Sequence, residues 1–162
     1  MRDGVAGCCH NLAGHMDNRQ AEILDWGCGD GAAGAVLADL GYRVIDGMDA
    51  CAIMLAQARA RGAYRRLFSA RSPADLPDRT YDAVVAAGAF RGGDASPDVL
   101  DDLVRLLRAG GVLSLAVAPG GGLADTCERM CAAGALLKMT ATWDRLPPTG
   151  EPAVRFLVLG RF

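Results

Sequence analysis

The 162-residue chain predicts an α/β fold, a three-layer α/β/α sandwich around a mostly parallel seven-stranded sheet with an antiparallel C-terminal strand. Three observations carry that expectation. Short apolar runs alternate with longer stretches of helical period, which is how a parallel sheet covered by helices reads. The run at residues 81–87 is almost continuously apolar, as a central strand buried on both faces must be. Glycine, 21 of 162 residues, falls in short clusters between these runs without a repeat, so it marks loops.

The elements follow in order. A short helix over roughly residues 5–15 fits before the first strand, residues 21–26. A glycine loop then leads to a helix at 32–40, stopped by Gly41. Residues 42–48 form the second strand and 52–61 the next helix, with Ile53, Met54, Ala56 and Ala58 as its apolar bulk and Gly62 as its end. A third strand at 66–70 is followed by Pro73 and Pro77, then by the central strand at 81–87. Pro97 and Asp98 open a helix with Leu100, Leu103, Val104 and Leu107 on one face, and Arg105 and Arg108 suit its last turn. After Gly110 and Gly111 come a strand at 112–118, a loop at 119–122 and a helix at 124–133. Residues 136–143 and 153–159, separated by Pro147, Pro148 and Gly150, read as an antiparallel closing pair. No internal repeat is visible, so residues 1–162 read as one domain with 1–20 as a short N-terminal segment.

Composition narrows the function. With 51% hydrophobic and 22% charged residues, disorder and fibrous repeats are excluded. Seventeen basic against nineteen acidic side chains give a net charge of −2, so no global positive field exists to hold a nucleic acid. Arg59, Arg61, Arg65, Arg66, Arg71 and Arg79 form the one basic concentration and read as a solvated face; Tyr64 and Phe68 are too few to make a stacking platform. The longest uncharged stretch, residues 109–124, is broken by glycines and Pro119 and falls short of the ~20 apolar residues a bilayer requires. No membrane span is expected, and without an apolar leader before Asp17 the chain reads as cytoplasmic. The six cysteines read as reduced thiols. Cys8, Cys9, His10 and His15 do not match spaced zinc-ligand pairs, so no metal is expected, and Cys127 and Cys131 share a helix face where thiols pack.

The segment Ile23-Leu24-Asp25-Trp26-Gly27-Cys28-Gly29-Asp30-Gly31 lies between a strand and a helix, where backbone N–H groups converge and a ligand approaches only if side chains are absent. Glycines 29, 31 and 34 also satisfy G-x-G-x-x-G, and Asp49 lies 20 residues beyond Gly29, the spacing of a dinucleotide site in an NAD-dependent oxidoreductase. Asp25 tips the balance. Just before the first glycine, its charge repels a pyrophosphate and attracts an ammonium or sulfonium group.

At these residues the chain resembles the class I S-adenosylmethionine-dependent methyltransferases, whose fold is Rossmann-like. The resemblance spans residues 22–162 and rests on the glycine segment, on Gly47-Met48-Asp49 followed by Met54-Leu55, on Tyr81-Asp82-Ala83-Val84-Val85, and on Leu107-Arg108-Ala109-Gly110-Gly111 before a strand. Asp46-Gly47-Met48-Asp49 and Gly62-Ala63-Tyr64-Arg65-Arg66-Leu67 are further similar to the Williams-Beuren-region methyltransferase-like group. The resemblance implies S-adenosylmethionine as cofactor. Asp25, Gly27, Cys28, Gly29 and Gly31 would then hold its methionine end, and Asp49 its ribose hydroxyls. Ala50 and Met54 would pack on adenine, Ala70 and Arg71 would border the adenine edge, and Ala87 and Gly88 would lie beneath the sulfonium. Phe90, Arg91 and Asp94 would position the acceptor, and the catalytic residues stay unknown.

Several positions depart from the family pattern. Arg71 stands where an acidic residue often accepts from adenine, and Arg offers only donors. Ala50 is small for an adenine cover, and Cys51 is a poor helix N-cap. About 21 residues precede the first strand, room for one helix where the family usually carries several that close over the substrate. The resemblance thus implies a methyltransferase acting on a small-molecule acceptor; the signature that holds an exocyclic base amine is absent. The alternative is a cofactor-binding module without turnover, completed by a partner or a second copy as in a homodimer.

Overall fold

Alternation decides the centre of the sheet. In β1 (Glu22–Trp26), Ile23 is buried in one core and Leu24 in another, so both faces of the strand are covered. The structure, a computed structural model, describes residues 2–70, 72–90, 97–117, 122–143 and 155–162. β1 pairs in parallel with β2 (Val44–Asp49) on one side and with β4 (Tyr81–Ala86) on the other. β3 (Arg66–Ser69) extends the sheet past β2; β5 (Leu107–Val117), β7 (Arg155–Gly160) and β6 (Leu137–Trp143) extend it past β4. The order is β3-β2-β1-β4-β5-β7-β6, and β7 is the antiparallel strand, inserted between β5 and β6.

Helices α1 (Arg2–Ala13) and α2 (Ala32–Asp39) cover one face, where Cys8, Leu12, Leu37 and Ile45 share a core. Helices α4 (Pro97–Leu106) and α5 (Gly122–Ala132) cover the other, through Leu100, Leu103, Leu123 and Cys127. Helix α3 (Ala52–Arg61) lies along β2 and β3. Each fully buried leucine contributes about 2 kcal/mol, so burial outweighs the few tenths that separate helix propensities. The expected three-layer α/β/α arrangement is thus what forms.

Three local expectations are corrected. In α3 only Leu55 and Ala58 are buried, while Ile53 is 72% and Met54 41% exposed. The strand expected from residue 112 starts at Leu107 instead. Its pairing with β4 jumps from Tyr81↔Leu107 to Ala83↔Val112, so Gly110 and Gly111 belong to an irregularity inside the strand and do not stop a helix. Arg108 therefore leaves the helix and meets Asp82 at 2.8 Å, whereas Arg105 stays in the last turn of α4 and pairs with Asp78 and Asp102.

The basic concentration is also not simply a solvated face. Asp46 is fully buried; Arg65 donates to it at 3.0 and 2.8 Å, Arg66 at 2.7 Å and the Tyr81 hydroxyl at 3.0 Å. Arg61 pairs with Asp30.

Cys8 and Cys9 are buried under α1, where burial pushes the Cys8 thiol up to about 12 and that of Cys9 higher still. His10 bonds the Ala6 carbonyl of its own helix at 2.7 Å and His15 bonds Thr140 of the outer strand at 2.7 Å. Among the described residues no group of His, Cys, Asp and Glu is placed to hold a metal ion. Cys127 and Cys131 pack against the second core as expected. No helix among the described residues is long and apolar enough to cross a membrane.

Candidate cofactor site

From β1 the sheet grows one way through β2 and β3 and the other way through β4 and β5, so the direction of winding reverses between β1 and β4. Such a reversal opens a crevice outside the carboxyl ends of the strands. The glycine loop and Ala87-Gly88 directly follow β1 and β4, and Asp49 is the last residue of β2.

The loop is built on backbone contacts. Gly27 and Cys28 amides donate to the Met48 carbonyl at 2.8 and 3.0 Å, and the Gly31 amide to the Cys28 carbonyl at 2.9 Å. A Cβ on Gly27 would stand 2.5 Å from that of Ala89, so the loops after β1 and β4 touch there. Gly29 differs. Its φ of +52° favours glycine, and a Cβ there would meet nothing within 4 Å, which leaves room for a ligand against the backbone.

Asp49 stands beside that opening. One carboxylate oxygen accepts from the Gly29 amide at 2.9 Å and the other from the Cys51 amide at 2.8 Å. Cys51 makes no side-chain cap to α3, and Asp49 instead fixes the backbone amide of this N-cap residue itself. A carboxylate has about four acceptor positions, and two are thus still available for hydroxyl groups. Ala50 and Met54 are exposed next to it, and the Ala70 amide donates to the Asp49 carbonyl at 3.1 Å, which ties the end of β3 to the same point. Ala87 is buried, and a Cβ on Gly88 would meet nothing within 4 Å. Burial pushes the Cys28 thiol up to about 12, so this loop cysteine is a packed, un-ionised group.

Two expected contacts are relocated. Asp25 does not line the opening: it is 1% exposed and accepts from the Tyr64 hydroxyl at 2.6 Å. Burial pushes its carboxyl up to about 7, against the opposing pull of that hydrogen bond. Phe90 is likewise buried, its ring 5.0 Å from that of half-buried Trp26, so it anchors the loop after β4 within the core and presents no ring to an acceptor. Arg71, Arg91 and Asp94 lie outside the described residues.

Tyr64 is the residue the sequence reading missed. Its ring fills the space left by Gly31, Gly34 and Gly47, and its hydroxyl also accepts from the Gly34 amide at 3.1 Å. The available signal was three glycines with no ligand to explain the second and third. Gly34→Ala is expected to cost about 1–3 kcal/mol in urea unfolding, since its Cβ would lie 2.3 Å from the Tyr64 ring.

The same contacts argue against a pyrophosphate. At the start of α2 the Ala32 amide donates to Asp30 at 3.3 Å and the Gly34 amide to Tyr64, so amides that a diphosphate needs are taken, and an acidic side chain sits among them.

A family model described as a methyltransferase domain matches residues 24–115, which carry the loop, Asp49 and the end of β4. The chain belongs to the class I S-adenosylmethionine-dependent methyltransferase family. Human methyltransferase-like protein 27 is 30% identical over 129 residues, covering 78% of the chain and 52% of that protein. The chain thus spans about half the length of this curated relative. The fold matches a TehB-like S-adenosylmethionine-dependent methyltransferase from Corynebacterium glutamicum with a TM-score of 0.72 at 24% identity, over 98% of this chain and 88% of that one. It matches magnesium protoporphyrin IX methyltransferase from Synechocystis PCC 6803, solved with S-adenosylmethionine bound, with a TM-score of 0.80 at 17% identity, over 99% and 79%. The residues fit the cofactor of this methyltransferase family: open backbone at Gly29, free acceptor positions on Asp49, and apolar surface at Ala50 and Met54.

Proposed function

We propose that the chain binds S-adenosylmethionine in the crevice at the ends of β1, β2 and β4 and transfers its methyl group to a small-molecule acceptor in the cytoplasm. The observation that carries this reading is the Gly29–Asp49 unit, an open backbone position hydrogen-bonded to a carboxylate that keeps two acceptor positions. The cofactor supplies a methyl group on a sulfonium, an already activated leaving group, so orientation suffices without a dedicated base. In this reading Asp49 accepts both ribose hydroxyls, Met54 and Ala50 lie along the adenine, Ala70 borders its edge, and Ala87 and Gly88 support the reacting end. A small acceptor suits a chain of net charge −2 whose Arg61, Arg65, Arg66, Arg105 and Arg108 are held in ion pairs.

One observation favours the second reading, a cofactor-binding module without turnover. Helix α1 packs on the sheet face against β5, β7 and α2, with Cys8, Cys9 and Leu12 buried beneath it, and does not lie across the crevice. Calorimetric titration with S-adenosylmethionine, S-adenosylhomocysteine and NAD tests the cofactor: NAD binding with no response to the sulfur compounds rejects it. Methyl-labelled cofactor incubated with a metabolite extract then separates enzyme from module. Label in a small product supports the enzyme, and binding without transfer across many extracts supports the module.

A further inference from the structure

We infer that Tyr64 is a positioning residue for the cofactor loop, which it pins to the sheet by joining the buried Asp25 carboxylate to the first turn of α2. The inference rests on the cofactor reading above and adds a control to the same site. Tyr64 arrives from the segment between α3 and β3, outside the loop it contacts. Its ring occupies the hollow bounded by Gly31 and Gly34 of the loop and helix start and by Gly47 of β2; a Cβ on any of the three would come within 3.1 Å of a ring atom. Its hydroxyl donates to Asp25 at 2.6 Å and accepts from the Gly34 amide at 3.1 Å. The loop is therefore fixed at both ends, at Gly27 and Cys28 by the Met48 carbonyl and at Gly34 by Tyr64, and is open only around Gly29.

The hydroxyl also governs the charge on Asp25. The groups facing that carboxylate are Tyr64, Asp49 at the end of β2, Cys8 and Cys9 of α1, Cys28 of the loop and the Gly34 amide, and none of these is a cation. Among the described residues Asp25 has no cationic partner, and a buried carboxylate so placed ionises only as far as hydrogen-bond donors allow; Tyr64 is its side-chain donor. Burial and that donor together leave Asp25 titrating at about 7. Ionised Asp25 places a negative charge beneath a loop that receives a cationic ligand, so affinity rises as pH passes through its midpoint, and Tyr64 sets where the midpoint falls.

The test uses the full chain as wild type, Tyr64→Phe and Asp25→Asn, with the sulfonium cation S-adenosylmethionine as probe in calorimetry from about pH 5.5 to about pH 8.5. The carboxyl carbon of Asp25 is followed by NMR over the same range. Titration of the probe itself is common to all three proteins and cancels in the ratios. Tyr64→Phe keeps the ring in its hollow and is expected to bind about 10-fold more weakly at neutral pH, with both the affinity rise and the Asp25 midpoint moved up by about one pH unit. Asp25→Asn is expected to give affinity ratios that no longer track that rise. Equal weakening at every pH with an unmoved Asp25 midpoint would mean Tyr64 only fills space, and overturns the inference while leaving the cofactor reading intact. So does a Tyr64→Phe protein that matches wild type throughout. Failure of the wild type to bind the probe at any pH overturns the cofactor reading itself and this inference with it. Should Tyr64→Phe not fold, Asp25→Asn decides: a wild-type pH profile in that variant overturns the inference.

Discussion

Asp49→Ala is expected to weaken S-adenosylhomocysteine binding by at least about 100-fold, measured by calorimetry near neutral pH. The side chain would provide two charge-assisted hydrogen bonds to the ribose, each contributing about 1.5–3 kcal/mol. It also holds the Gly29 amide and the first amide region of α3, so the variant loses loop geometry along with direct contact. Loss of the bonds to the Gly29 and Cys51 amides is expected to lower stability by about 1–2 kcal/mol, too little to unfold the chain and mimic loss of binding. Asp49→Asn, which keeps one acceptor oxygen, is expected to fall between the two. Unchanged affinity in the alanine variant would remove the ribose assignment.

Asp46→Ala is expected to have the largest effect on stability, about 3 kcal/mol by urea unfolding near neutral pH. Removing one side of a buried ion pair typically costs about 3–5 kcal/mol. The lower end applies because the Arg65 and Arg66 side chains keep 37% and 52% of their exposure and can rehydrate, whereas the Tyr81 hydroxyl is left buried without its acceptor. Burial raises the Asp46 carboxyl, but the bonds from Arg65, Arg66 and Tyr81 outweigh it and hold the group below the usual carboxylate range. The stability it contributes is therefore present above the unfolded value of about 3.9 and is lost as pH falls through the lower folded value. Asp25 has the opposite sign: its contribution is full below about 3.9 and is lost as pH rises through about 7. Unfolding curves against pH should thus lose their acid-side slope in Asp46→Ala and their neutral-range slope in Asp25→Asn; curves that keep both slopes would contradict the two assignments.

What could be read from the sequence follows how local each signal is. Strand β4 announces itself through a run of adjacent apolar residues, and Asp49 through its distance from the glycines. Local pattern fails where one residue type serves two purposes. Gly110-Gly111 reads as punctuation before a strand but sits in an irregularity within it, because glycine serves both settings. Ile53 reads as apolar bulk of its helix yet is exposed, because apolar period alone does not say which face of a helix finds a partner. Partners distant along the chain leave no periodic trace at all. Tyr64 and Asp25 are 39 residues apart, and nothing near either one predicts a 2.6 Å bond between them. Phe90, expected at the acceptor, is claimed by Trp26 for the same reason.

The hollow around Tyr64 carries an evolutionary consequence. Only at residue 34 are the nearest obstacles all from Tyr64, since a Cβ at 31 would also meet Ala58 and one at 47 would also meet Leu67, so residues 34 and 64 should diversify as a pair: descendants that shrink residue 64 become free to acquire a methyl group at 34. The match of Gly31 and Gly34 to a nucleotide fingerprint then follows from packing against Tyr64 and Ala58, while Gly29 keeps its backbone open to a ligand, so scoring all three glycines as pyrophosphate contacts misassigns chains of this kind.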